Sequence, residues 1–338
     1  MQDYEQSILE QYNLDVNSTR KTRGAVLCDT KQGIFLLREV SMSENRILAL
    51  YELYEHLREQ GYERIDSIVL NKEDEYISHT EDGSTYLLKR WFSGRECDVK
   101  KTTDLLETAG NLAKLHEVMR KELPGEVAMA EPLQEVYLRH ERELKKVRKF
   151  IRNQTMKGEF EYAFLKCFDQ MYQWAEAAGT MLQTSGYEAL YEKSMAEYFM
   201  VHGEYNYHNV LMKTDGMRQK GEGFSIEATT NFDKFKRDIQ VEDLYYFLRK
   251  TMEKHGWKER LGDNMLNAYS AIHPLTKEEL EYLKIRLVYP EKFWKTASAY
   301  YHSNKAWISA KNVEKLKLSI RQTNEKKRFL EQVFDFRL

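Results

Sequence analysis

Val201-His202-Gly203-Glu204-Tyr205-Asn206-Tyr207-His208-Asn209-Val210-Leu211-Met212 is the stretch whose reading decides the fold. Apolar ends flank a polar centre, so it reads as strand, loop, strand. The loop carries a carboxylate at Glu204 and a carboxamide at Asn209, five positions later, a spacing that lets one turn aim both groups into one cleft. Phosphoryl transfer needs such a pair: the carboxylate orients the attacking hydroxyl and takes its proton, while the amide oxygen holds a metal ion against the phosphates. About twenty residues on, a strand-like run from Phe224 to Thr230 leads to Asn231-Phe232-Asp233, a source for another metal ligand. Asp243 then opens the helical segment Leu244 to Arg249, where an aspartate can cap the helix and accept hydrogen bonds from the loop backbone.

Outward from this centre the chain divides in two. Residues 1–93 read as a small mixed lobe. A short helix, Tyr4 to Gln11, precedes a hairpin of Gly24 to Cys28 and Ile34 to Val40, with Asp29, Lys31 and Gly33 as turn chemistry. A helix follows, because Ile47, Leu50, Leu53, Tyr54 and Leu57 keep one face and Gly61 ends it. Tyr76 to His79 and Tyr86 to Phe92 supply two more strands around a turn at Glu81, Asp82 and Gly83. Residues 94–338 read as mainly helical. The junction is Gly94 to Lys101, after which Leu105, Leu106, Ala109, Leu112, Ala113 and His116 hold one helical face. Glu131 to Phe168 is helical too, and its basic block, Lys145, Lys146, Arg148, Lys149 and Arg152, reads as a solvated face. Phe293, Trp294, Tyr300, Tyr301 and Trp307 read as core of the last helices.

Composition narrows the function classes. In 338 residues, 42% apolar and with four prolines, there is enough material for a sizeable core. A net charge of −2 gives no global field toward nucleic acid or an anionic membrane, so neither is expected as a partner. Cys28, Cys97 and Cys167 are far apart in sequence, which argues against a zinc site and against a disulfide framework. The amino terminus lacks a basic region followed by an apolar run, and no stretch approaches a membrane span, so cytoplasmic synthesis without a secretory signal is the expectation.

The loop is similar to the HGDxxxxN loop of choline kinases and aminoglycoside phosphotransferases. Leu112-Ala113-Lys114-Leu115-His116 resembles their LAxLH helix, and Glu242-Asp243-Leu244 their late DL motif. Within that superfamily the chain most resembles the CotS family of spore-coat proteins, nearly end to end. Four blocks carry the likeness: Trp91-Phe92-Ser93-Gly94-Arg95-Glu96, His202 to Val210, Asn231-Phe232-Asp233 and Tyr289-Pro290-Glu291-Lys292-Phe293-Trp294-Lys295. The resemblance implies an α+β, protein-kinase-like two-lobed fold, with an antiparallel sheet and one helix in the small lobe and a larger helical lobe. It implies a destination in the forming spore coat, Mg-ATP as cofactor, a small hydroxyl acceptor, and other coat proteins as partners.

The resemblance also assigns roles, and at three of them the chain departs from the pattern. The strand lysine that pairs with the nucleotide phosphates falls on Arg38, which keeps the charge in a planar, bulkier group. Its helix partner would be Glu52, with Glu44 and Glu55 close behind. The catalytic aspartate falls on Glu204, one methylene longer, and displacement on the scale of 1 Å can cost about a hundredfold in rate. The metal aspartate falls on Asn231, with Asp233 two residues on and Asn209 as the other ligand; losing a carboxylate weakens a hard-cation site. No glycine-rich phosphate loop is visible, only Ser18 to Gly24, whose basic residues either hold phosphates instead or belong to a surface hairpin. Trp91 stands where a hinge would contact adenine, although packing is the commoner role for such a ring. His202 orders the loop, His208 is either a partner of Glu204 or solvated, and His116 belongs to the core. Two functions stay open on these residues: a phosphotransferase, and a degenerate kinase serving as a coat scaffold. A drug-resistance kinase is a distant third, since no acidic cluster suits a polycationic drug.

Overall fold

The computed structural model describes residues 3–22, 24–214, 225–303 and 310–337. Arg23, Phe224 and Trp307, used in the sequence reading, lie outside the described residues. The chain runs α1 (Asp3–Leu9), β1 (Val16–Thr22), β2 (Ala25–Thr30), β3 (Gly33–Glu39), α2 (Glu44–Glu59), β4 (Ser78–His79), β5 (Thr85–Trp91) and β6 (Arg95–Glu96). Helices α3 (Thr102–Val118), α4 (Leu133–Arg152), α5 (Glu159–Thr184) and α6 (Tyr187–Ala196) follow. Short strands β7 (Met200–Val201), β8 (Val210–Met212), β9 (Ile226–Thr229) and β10 (Lys236–Arg237) come next. The rest is helical: α7 (Val241–His255), α8 (Glu259–Ser270), α9 (Lys277–Val288), α10 (Glu291–His302), α11 (Ala310–Arg321) and α12 (Thr323–Phe334).

Two compact units emerge, one of Met1–Met129, Met195–Asp243 and Ala268–His273, the other of Ala130–Ser194, Leu244–Asn267 and Pro274–Leu338. In the first unit a five-stranded antiparallel sheet has the order β1-β2-β3-β5-β4. Strand alternation sorts its faces. Phe35 and Leu37 of β3, with Tyr86 and Leu88 of β5, close one face against Ile8 and Leu9 of α1. Leu36 and Arg38, opposite Lys89 and Leu87, occupy the other face. The described residues of the basic segment, Ser18 to Thr22, are part of β1 and pair antiparallel with β2, in line with the surface-hairpin reading. This is an edge strand, held by its backbone ladder to β2, so it needs no apolar alternation.

Helix α2 starts where the Ser43 hydroxyl accepts the Arg46 amide, and it buries Ile47, Leu50, Leu53, Tyr54 and Leu57 as the periodicity predicts. In the second unit the long helical stretch expected over 131–168 breaks after Arg152, and α5 restarts where the Glu161 carboxylate accepts the Gly158 amide. Lys145, Lys146, Lys149 and Arg152 are exposed, as a solvated face requires. Phe160, Phe164, Phe168, Phe293 and Tyr300 form the centre of this unit's core, with Trp294 and Tyr301 packed on it. The three cysteines are free and buried. Among the described residues no helix is long and apolar enough to cross a membrane.

Candidate nucleotide site

Every residue of the site belongs to the first unit. The loop after β7 is built around one carboxylate. Asp243 accepts the backbone amides of His202 at 2.6 Å and Gly203 at 2.9 Å, and His116 Nε2 lies 3.3 Å from it. The Tyr269 hydroxyl sits 2.7 Å from His116 Nδ1, which leaves Nε2 as the nitrogen that donates to Asp243. His202 is fully buried; its Nδ1 accepts the Glu204 amide and its Nε2 donates to the Thr230 carbonyl. Gly203 has φ +84°, and a Cβ there would stand 2.1 Å from the Lys234 carbonyl oxygen, so only glycine fits. Asn209 Nδ2 donates to the Glu204 carbonyl at 2.9 Å and its own carbonyl accepts the Thr230 amide, closing the turn on β9.

Beyond β9, Asn231 adopts a left-handed conformation (φ 68°, ψ 55°), which asparagine tolerates better than most residues. Phe232 is fully buried between Tyr54 of α2 and the His202 ring. That wedge places the side chains of residues 231 and 233 toward the sheet. Asn231 Nδ2 reaches to 3.5 Å from a Glu204 carboxylate oxygen, and its backbone amide donates to Asp66 at 3.0 Å.

Asp233 meets two cations. Lys89 Nζ donates to one of its oxygens at 2.6 Å, and Arg38 Nη1 to the other at 2.7 Å. The same Arg38 nitrogen donates to Asn231 Oδ1 at 3.2 Å. Lys89 is 1% exposed and spends its remaining donors on Asp66 at 3.3 Å and the Tyr54 hydroxyl at 3.2 Å. Burial opposes charge on Lys89, yet Asp233 and Asp66 outweigh it and hold its pKa above the usual lysine range. At Asp233 burial pushes upward, but the Lys89 ammonium and the Arg38 guanidinium hold the carboxyl below its ordinary value. Asp66, fully buried, is pushed up by desolvation against the pull of Lys89. Two cations and two carboxylates thus neutralise each other at the floor of the site.

Above this floor opens a cavity of about 380 Å³, within the size range of small-ligand sites. Trp91, Ala25, Leu36 and Leu211 contribute apolar lining, while Arg38, Lys89, Asn209 and Asn231, with the carboxylates of Asp66 and Glu96, contribute polar lining. The sequence-predicted residues Arg38, Trp91, Asn209 and Asn231 line it together. Glu204 touches Asn231 at its margin, and Asp233 lies behind, tied to the two cations. His208, beside the cavity, pairs with Glu96 at 2.6 Å and not with Glu204. His202 and Asp243 sit in the loop's hydrogen-bond frame.

Glu52 is not brought in. Arg38 pairs with Asp233, Glu44 is exposed, and Glu55 binds Arg58 on its own helix. The α2 side chain that reaches the buried cation is Tyr54, because Tyr54 and not Glu52 falls on the helix face turned inward. Lys89, Asp66 and Tyr54 are the members that sequence reasoning missed. A signal for Lys89 existed: in Thr85-Tyr86-Leu87-Leu88-Lys89-Arg90-Trp91 it continues the face of Leu87 in a central strand, and a lysine there needs carboxylate partners.

The residues present do not fit a divalent cation between positions 209, 231 and 233. Hard cations take several oxygen ligands, carboxylates above all. Here two of the three positions are amides, and both oxygens of the remaining carboxylate accept from the protein's own cations. Among the described residues no group of three acidic, histidine or cysteine side chains could hold a metal ion.

The family model described as "Spore coat putative kinase YutH" matches residues 5–333. Spore coat protein S of Bacillus subtilis (strain 168) is 25% identical over 332 residues, covering 90% of this chain and 85% of that protein. The crystal structure of an aminoglycoside phosphotransferase from Alicyclobacillus acidocaldarius superposes with a TM-score of 0.85 at 17% identity, covering 98% of this chain and 95% of the other. A spectinomycin phosphotransferase in complex with ADP and spectinomycin gives 0.65 at 10% identity, with 98% of each chain covered. The fold is therefore the kinase-like fold of small-molecule phosphotransferases, as the loop's resemblance implied.

Proposed function

The chain belongs to the spore coat YutH family of kinase-like proteins, and from that premise we propose that it is a nucleotide-binding component of the spore coat in which phosphoryl transfer has lapsed. The observation that carries this reading is the pairing of Asp233 with Lys89 and Arg38 beside an open cavity. The apolar lining at Trp91, Ala25, Leu36 and Leu211 suits a flat base, and the polar lining at Arg38, Asn209 and Asn231 suits phosphates. Adenine nucleotide is the expected ligand, with Trp91 against the base. Of the carboxylates that would organise a metal for transfer, the one at position 231 is replaced by an amide and Asp233 is held by cations. The partners expected on this reading are other coat proteins, toward which a nucleotide-stabilised fold would serve as a scaffold.

One observation favours a second reading, an active phosphotransferase toward a small hydroxyl acceptor. The loop is intact: Asp243, His202 and Gly203 hold it, and Glu204 reaches Asn231 at the edge of the cavity. In that reading Glu204 would orient the acceptor hydroxyl and take its proton.

Two measurements separate these. ATP at a hundred times its dissociation constant adds about 2.7 kcal/mol of stability, which a thermal melt registers. The scaffold reading expects that shift without ADP release, whether or not hydroxyl acceptors, spectinomycin and aminoglycosides among them, are present. It further expects a Glu204→Ala chain to restore coat assembly in a sporulating strain lacking the protein. Acceptor-stimulated ADP release, or failure of a folded Glu204→Ala chain to complement, decides for the transferase.

A further inference from the structure

We infer that the cavity binds its nucleotide without a divalent cation, the Arg38 guanidinium taking the place of the metal; this rests on the nucleotide-binding reading above. In this fold the charge of a triphosphate must be met by something fixed. Here the fixed charge is already in position. Nη1 of Arg38 donates to Asp233 and to Asn231, the side chains at the positions from which a metal would be held. The other Asp233 oxygen belongs to Lys89. A divalent ion entering between residues 209, 231 and 233 would have to displace the guanidinium, and would then meet two neutral amides and a carboxylate still paired with Lys89.

Arg38 is also built to face a ligand. Only Nη1 of its guanidinium hydrogen-bonds to the described residues; Nε and Nη2 make no such bond. The side chain is 42% exposed and lines the cavity. A guanidinium anchored at one nitrogen keeps its remaining donors as a planar fork, the geometry that grips a phosphate through two parallel hydrogen bonds. Because Asp233 fixes the group before the ligand arrives, little side-chain freedom is lost on binding. Lys89 does not share this role, since its three donors go to Asp233, Asp66 and Tyr54.

The test is calorimetric titration of the full chain with ATP in EDTA and, separately, in millimolar magnesium. Dissociation constants within about twofold of each other are expected. Arg38→Gln should weaken binding in EDTA about tenfold or more, the worth of one charge-assisted contact. Arg38→Lys, which keeps the charge and loses the fork, should fall between; its melt shows that the fold persists. Binding that requires magnesium overturns the inference and leaves the nucleotide-binding reading standing. Absence of binding in both buffers overturns the two together. Unchanged affinity in both variants removes Arg38 from the role assigned here.

Discussion

Each unit buries a cluster of charges, and the two clusters are resolved in opposite ways. In the first unit Lys89 and Arg38 balance Asp66 and Asp233, and the cluster opens on a cavity of about 380 Å³. In the second unit Arg249 and Lys292 pair with Glu253, and Lys295 and Arg286 with Glu291, and Lys326 joins them beside a space of about 40 Å³, room for little more than water. Glu253 is shared by Arg249 at 2.6 Å and Lys292 at 3.3 Å. Lys326 makes no ion pair with the described residues: its ammonium lies 4.9 Å from the Trp174 ring centre and 5.3 Å from that of Trp257, and donates to the Tyr289 carbonyl at 3.4 Å. Burial drives its pKa down to about 7. A surplus cation buried in a core has its pKa pulled down, whereas in the cluster at the cavity the two carboxylates hold the pKa of Lys89 up and Arg38 keeps donors for a ligand. The Tyr289 to Lys295 block, prominent in the sequence, lines this small space with Tyr289, Pro290, Glu291, Lys292 and Phe293. Its role is in the core of that unit.

The sharpest way to break this contrast is to delete one cation from each cluster. Lys89→Met should cost about 3–5 kcal/mol in a urea melt, because Asp66 and Asp233 are left buried without their common partner. A cost below 1 kcal/mol would mean that the cluster is not the floor described here. Gly203→Ala comes next. The strained φ alone is worth roughly 1–3 kcal/mol and the approach to the Lys234 carbonyl adds to it, so a loss of at least about 2 kcal/mol is expected by the same melt.

Lys326→Met should act in the other direction. A lysine whose folded pKa lies near 7 and whose unfolded pKa is near 10.5 leaves the unfolded chain holding more protons between those values. Its contribution therefore improves as pH rises from 7 to about 10 and is most unfavourable below 7. The variant should be more stable than the parent at pH 6, on the order of 1–4 kcal/mol, and the difference should shrink toward pH 10. A variant that is destabilised at pH 6, or a difference that does not change with pH, would put Lys326 in the same class as Lys89. The smallest effect belongs to Arg38→Gln, whose partly exposed side chain should cost no more than about 1 kcal/mol of stability. Against its expected loss of nucleotide affinity, that separates a ligand-facing cation from a structural one.

Much of the site was legible locally. The Glu204 to Asn209 spacing, the Asn231-Phe232-Asp233 turn, the loop-holding carboxylate of Asp243 and the place of Arg38 on a strand were all legible within short windows, although Asp243 lies inside the first turn of α7 and does not cap it. The same windows placed α2 and the two hairpins within a few residues. They failed at β1, where an edge strand is held by backbone pairing and carries no apolar alternation to announce it. They failed again at Glu52, since a stripe identifies the buried face of a helix without saying which neighbour at its margin meets a distant charge.

By itself the sequence determined which residue types stand at each position, including the amide at 231 and the arginine at 38, and hence that any metal site here departs from the kinase pattern. Only the tertiary structure decided that Asp233 faces Lys89, 144 residues away, with Asp66 and Tyr54 completing the shell. Strand alternation and helix pitch fix the direction of a side chain relative to its own element. Which charges meet depends on how the elements pack, and in a low-dielectric interior that meeting sets whether a carboxylate remains free for a ligand or is already satisfied.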